Sequence, residues 1–106
     1  MATVLESESS LKARRDAIAR PHLEQYAPVW IVDEKVLVEE QAIQFNVVFQ
    51  HNRYGWVNRR YRFDGFNNVL YHKGQRIITE EEALQVQEKD PYIPALIADI
   101  PNAYGG

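Results

Sequence analysis

The side chains best suited to chemistry lie in one short stretch. Residues 51–62, HNRYGWVNRRYR, hold Arg53, Arg59, Arg60 and Arg62 without an acid, so this stretch carries +4 while the rest of the chain carries −7. Guanidinium groups interleaved with Tyr54, Trp56 and Tyr61 can grip phosphates and stack unpaired bases. The same three residue types also dominate the binding energy of protein–protein interfaces. Strand alternation sets Trp56, Arg60 and Arg62 on one side of a pleated segment. A partner strand over Ile43–Gln50 adds Gln44, Asn46 and Gln50 to that side. The candidate contact residues are therefore Gln44, Asn46, Arg53, Tyr54, Trp56, Arg60 and Arg62. Arg59 falls with the core-facing set, so it should lie near a strand end or pair with a carboxylate.

Other chemistries find little material. His22, His51 and His72 have no metal-ligand spacing, and a composite of His51, His72 and Asp64 is the one metal arrangement that converging loops could build. Ser7, Ser9, Ser10 and Thr3 sit near the start of the chain and Thr79 reads as a helix cap, which leaves no serine or threonine nucleophile beside a base. Glu39-Glu40 and Glu80–Glu82 are adjacent in sequence, and adjacency splays carboxylates apart rather than pairing them for proton transfer. The glycines at 55, 65 and 74 are single, so no phosphate-cradling loop is present. Without cysteine, thiolate sites and disulfides are excluded. No catalytic, cofactor or metal residue is assigned. An enzyme reading would need a cavity lined by Asp64, Tyr54 and His51 or His72.

A length of 106 residues corresponds to a single domain. Apolar residues at 45% and charged residues at 25% place it with globular proteins, away from disordered and membrane-spanning chains. The net charge of −3 argues against indiscriminate coating of a polyanion, leaving only a local patch for that purpose. The first ten residues, MATVLESESS, lack the basic and apolar regions of a secretory signal. Ala27–Val32, the longest apolar run, has six residues and contains Pro28, against about 20 for a membrane span. A cytoplasmic location without membrane association is expected.

The elements that position the arginines follow from periodicity. Residues 1–9 read as a flexible terminus, and residues 10–104 as one domain followed by a flexible 105–106. A helix is expected over about residues 10–19, capped by Ser10, that stops at Pro21 or restarts there with Pro21 opening a second turn through Tyr26; its apolar side is Leu11, Ala17 and Ile18, then Leu23 and Tyr26. Val29–Val32 and Val36–Val38 are short runs of β-formers separated by Asp33-Glu34-Lys35, either a tight hairpin or a bent edge. Ile43–Gln50 and Trp56–Asp64 alternate clearly and form a hairpin across Gly55. Val69–Tyr71 and Arg76–Ile78 read as a second hairpin with Gly74 at positive φ in its turn. Thr79 and Glu82 form a capping box, with Ile78 and Ala83 as its staple, for a helix over about residues 80–89 bearing Ala83, Leu84 and Val86. The tail from Pro91 is too apolar at Ile93, Leu96, Ile97 and Ile100 for a solvated linker, so it either packs back or reaches a partner or a swapped dimer.

The fold class is thus α+β: an N-terminal helix, an antiparallel meander of about five strands, a capped C-terminal helix and an irregular tail, with helices over one sheet face. The function expected is that of a non-enzymatic accessory or adaptor protein holding a larger protein through the Arg/aromatic face and the tail. Binding of single-stranded RNA or DNA through the same hairpin is the alternative.

Overall fold

The computed structural model describes residues 4–95. Helix α1 spans Glu8–Leu23, and the Ser7 hydroxyl accepts from the Ser10 amide, so Ser7 rather than Ser10 is its cap. The helix runs through Pro21 instead of ending before it. The donor that Pro21 lacks would have served the carbonyl of Ala17, which lies on the exposed side where water can replace it. The buried stripe is Leu11, Arg15, Ala19 and Leu23, a strict four-residue spacing. Ala17, expected inside, is exposed, and an arginine takes a core position.

Four antiparallel strands follow in the order β1 (Trp30–Leu37), β2 (Ala42–His51), β3 (Gly55–Asp64) and β4 (Val69–Ile77). Of the two readings of residues 29–38 the bent edge is found: Trp30–Leu37 is a single strand bent at Asp33 (φ 54°), where the register with β2 slips between Val32 and Lys35. The expectation of about five strands is corrected to four at the other edge, where Val69–Tyr71 and Arg76–Ile78 are not two arms of a hairpin: residues 69–77 form one strand, with a register shift opposite Arg60 and Tyr61. Gly74, at φ 144°, serves that irregularity rather than a turn. Both irregular segments are edge strands, where polar residues and bulges are common. The β2–β3 hairpin is as expected, paired without a slip from Ala42↔Asp64 to His51↔Gly55, with Gly55 at φ 79°.

The turn into β4 is fixed from two sides. Asp64 accepts from the amides of Phe66 and Asn67, and the buried Gly65 donates its amide to the Gln41 carbonyl at 2.7 Å. A Cβ on Gly65 would stand 2.5 Å from that carbonyl oxygen and 2.9 Å from Leu11 Cδ2. Gly65→Ala is expected to cost about 2 kcal/mol, read as a lower urea midpoint with an unchanged slope, because the obstructing atom is backbone.

One sheet face packs Ile43, Phe45, Val47, Phe49, Val57, Tyr61 and Phe63 beneath Leu11, Ala19 and Leu23 of α1. Helix α2 (Glu80–Gln87) lies on the opposite face, where Val48, Ile78 and Ala83 form a second cluster with Val32, Trp56 and Val86. Helices therefore cover parts of both faces, not one. The Thr79/Glu82 capping box forms as expected, and Ile78 and Ala83 share the cluster that the staple implies. Leu84, expected in the packed stripe, is exposed. Past α2, the Trp30 indole donates to the Lys89 carbonyl, and Ile93 pairs with Val29 and is buried. Leu96, Ile97 and Ile100 lie outside the described residues.

Candidate functional site

The face opposite α1 is laid out by the β2–β3 register, which sets Gln44 against Arg62, Asn46 against Arg60 and Gln50 against Trp56. Helix α2 divides this face. At its covered end Trp56 is half-buried in the second cluster, with its ring 6.1 Å from that of Trp30. The other end is an open depression of about 500 Å³ with Lys35, Gln44, Asn46, Arg60, Arg62 and Lys73 around it. A smaller hollow of about 260 Å³ continues past Asn58 to Arg76. Its bed is made of amides, with Asn46 Nδ2 donating to Asn58 Oδ1 at 2.8 Å.

The charges here are unevenly matched. Arg62 pairs with Glu40 at 3.0 Å and Arg76 with Glu82 at 3.6 Å. Lys35, Arg60 and Lys73 have no carboxylate within ion-pair distance among the described residues, although Asp33 also borders the depression. Three cations in one hollow repel each other, and an anion entering from outside relieves that repulsion.

Four of the seven candidate residues, Gln44, Asn46, Arg60 and Arg62, meet at this depression. Trp56 shares their face but lies toward α2. Arg53 and Tyr54 sit at the hairpin tip, roughly 17 Å along β3 from Arg60, where Tyr54 packs against His51. Sequence reading missed Lys35, Lys73 and Arg76, because the strands that carry them were divided into shorter pieces. A continuous β4 places Gly74 opposite Arg60 and Lys73 next to it. Tyr71, opposite Arg62 and exposed, was missed for the same reason.

Arg59 occupies neither expected position. It is mid-strand on the α1 side, 8% exposed, with Nε donating to Gln75 Oε1 at 2.7 Å and Nη1 donating to the Tyr61 hydroxyl at 3.0 Å. Its guanidinium lies 4.9 Å from the Tyr26 ring and 5.0 Å from the Phe49 ring, and no carboxylate pairs with it among the described residues. The composite of His51, His72 and Asp64 is not assembled: His51 pairs with Gly55 and Asp64 with Ala42, at opposite ends of a ten-residue ladder, and His72 stands opposite Tyr61.

Near Arg59, burial first and the guanidinium charge second hold the imidazoles of His22 and His72 below the usual histidine range. Folding therefore disfavours protonation at both. Their contribution to stability is complete above the unfolded value of about 6.5 and is lost as pH falls through the lower folded values. A thermal melt is expected to show declining Tm on acidification from about pH 7 to pH 5.5, and a His22→Gln/His72→Gln variant a flatter profile over that window. Comparison with known protein families, with curated proteins and with solved structures finds no significant match to this chain.

Proposed function

We propose that the chain is a small, non-catalytic accessory protein that holds an acidic segment of a larger protein on the open half of its outer sheet face. The observation that carries this reading is the set of cations Lys35, Arg60 and Lys73, without an ion-pair partner among the described residues, around a depression bedded with Gln44 and Asn46 and its adjoining hollow with Asn58. Carboxylates entering there find guanidinium and ammonium partners, and the amide side chains can bond the backbone of an extended segment. A polar surface with partly matched charges also resists self-association while it waits for a partner.

Single-stranded nucleic acid has less support at this face. Base stacking needs exposed aromatic planes in succession. Trp56 is engaged beneath α2 and Tyr61 is buried, which leaves Tyr71 at the margin.

The test is cross-linking in cell extract with wild type and an Arg60→Ala/Arg62→Ala/Lys73→Ala variant. Loss of partners that carry acidic segments supports the reading, and identical partner lists count against it. Fluorescence anisotropy with a single-stranded oligonucleotide separates the alternative. Binding whose log–log salt slope is about −0.7 per phosphate would replace the protein partner, and absence of binding at low salt removes nucleic acid.

A further inference from the structure

Two arginines are buried among the described residues, and they are compensated differently. Arg15 has Asp16 and Glu34 within 2.7 Å, whereas Arg59 has an amide, a phenol and aromatic rings. Ring contacts stabilise a desolvated cation by less than its removal from water costs. The Tyr61 hydroxyl that receives Arg59 Nη1 also lies 2.9 Å from His22 Nε2, and the His72 ring is 5.8 Å from the Tyr61 ring. In front of these groups, between α1 and β4, is a shallow, open cavity of about 320 Å³ lined by Ile18, Tyr61 and Leu70 and by the exposed His22 and His72. No acid lines it.

We infer that this cavity binds a small carboxylate with a short apolar body. The carboxylate meets the two imidazoles and the Tyr61 hydroxyl, while the body rests on Ile18 and Leu70. The volume is at the lower end for ligand pockets, and two polar walls facing two aliphatic ones match an amphipathic acid. The lining has no lysine or arginine to hold a strongly hydrated phosphate, so the carboxylate is the favoured anion. Arg59 acts from behind Tyr61 as a fixed positive charge.

In the empty site the bonds chain in one direction. Arg59 Nη1 donates to the Tyr61 oxygen, and with His22 neutral and its Nε2 unprotonated the Tyr61 hydroxyl donates across the 2.9 Å to that nitrogen. On binding, the Tyr61 hydroxyl turns to the carboxylate and His22 takes one proton from solvent to donate in its place. The titratable and charged neighbours facing the imidazoles are Tyr26, Arg59 and Tyr61, together with each other, and the other core-side neighbour of Arg59, Phe49 of β2, is uncharged. Proton uptake makes affinity rise as pH falls, because the bound anion raises imidazole values that the empty site holds low.

The experiment follows the histidine ring signals of the full chain by NMR during titration with sodium benzoate, with benzamide as uncharged isostere and with inorganic phosphate. The expected result is that benzoate shifts the His22 and His72 signals, and binds about threefold more tightly near pH 6 than near pH 8, within the roughly tenfold ceiling that a one-unit rise in one imidazole pKa sets. Benzamide should bind at least about tenfold more weakly, the cost of leaving the site's charge unanswered. His72→Gln, at an exposed edge position that leaves the core intact, should weaken benzoate about fivefold and reduce the pH dependence. Arg59→Gln should abolish binding, and if that variant fails to fold, His72→Gln still decides the matter. Silence of both histidines toward benzoate, equal binding of benzamide, or phosphate binding without benzoate binding would each overturn the assignment.

Discussion

Glu34→Gln is expected to destabilise the protein by about 3 kcal/mol, a large fraction of a small domain's stability, measured as a fall in the urea midpoint. The cause lies on α1, where Arg15 is 2% exposed with its guanidinium 4.7 Å over the Phe45 ring. Nη2 donates to Glu34 at 2.6 Å and Nε to Asp16 at 2.7 Å, while Nη1 is buried without a partner. Glutamine keeps the shape and an acceptor, so the change isolates the charge and leaves a buried cation with one acid. Replacing both groups, as Arg15→Met/Glu34→Gln, should recover most of the loss, because a flexible apolar chain packs on Phe45 with nothing to compensate. Acid should act in the same direction. Burial raises the Glu34 carboxyl, but Arg15 and Lys12 more than offset it and hold it below the ordinary range. Stability from this pair is complete above the unfolded value near 4.3 and is lost as pH falls through the lower folded value. The glutamine variant should lose that acid-sensitive component.

Arg15 also shows where sequence reading stops. Its place at the four-residue spacing from Leu11 and Ala19 assigns it to the buried side, while its type assigns it to water, and the sequence alone does not choose between them. The spacing decides, because Glu34 on β1 and Asp16 supply the charge that permits burial. The hairpin at Gly55 was legible because both its strands alternate with period two over eight or more residues, and the capping box because it is a local hydrogen-bond pattern. Strand β4 was divided wrongly, and β1 was left open between a hairpin and a bent edge, because His72–Gln75 and Asp33-Glu34-Lys35 have turn chemistry, which edge strands tolerate at bulges. Val48, apolar in an otherwise polar column, was the available sign that a helix covers part of the outer face. Within the candidate depression the residues of β2 and β3 were legible, and those of β1 and β4 required the register.

The second large effect expected is on binding. Arg60→Glu/Lys73→Glu should weaken association with a Glu/Asp-rich peptide by about a hundredfold at low salt, since each reversal exchanges an attraction of about 0.7 kcal/mol for a comparable repulsion. Both side chains are at exposed positions on the face away from α1, so stability should change by no more than about 0.5 kcal/mol. Isothermal titration gives the affinity and urea unfolding the control. At high salt the difference between wild type and variant should shrink, because these charges are screened by mobile ions.

Titration of isotope-labelled protein with that peptide, followed by NMR, tests the central claim most directly. The account predicts that shifts concentrate on the side-chain amides of Gln44, Asn46 and Asn58 and the Nε–H of Arg60 and Arg62, while signals from α1 stay in place. Shifts centred on α1 or on the Arg53-Tyr54 tip, or none at all, would contradict it.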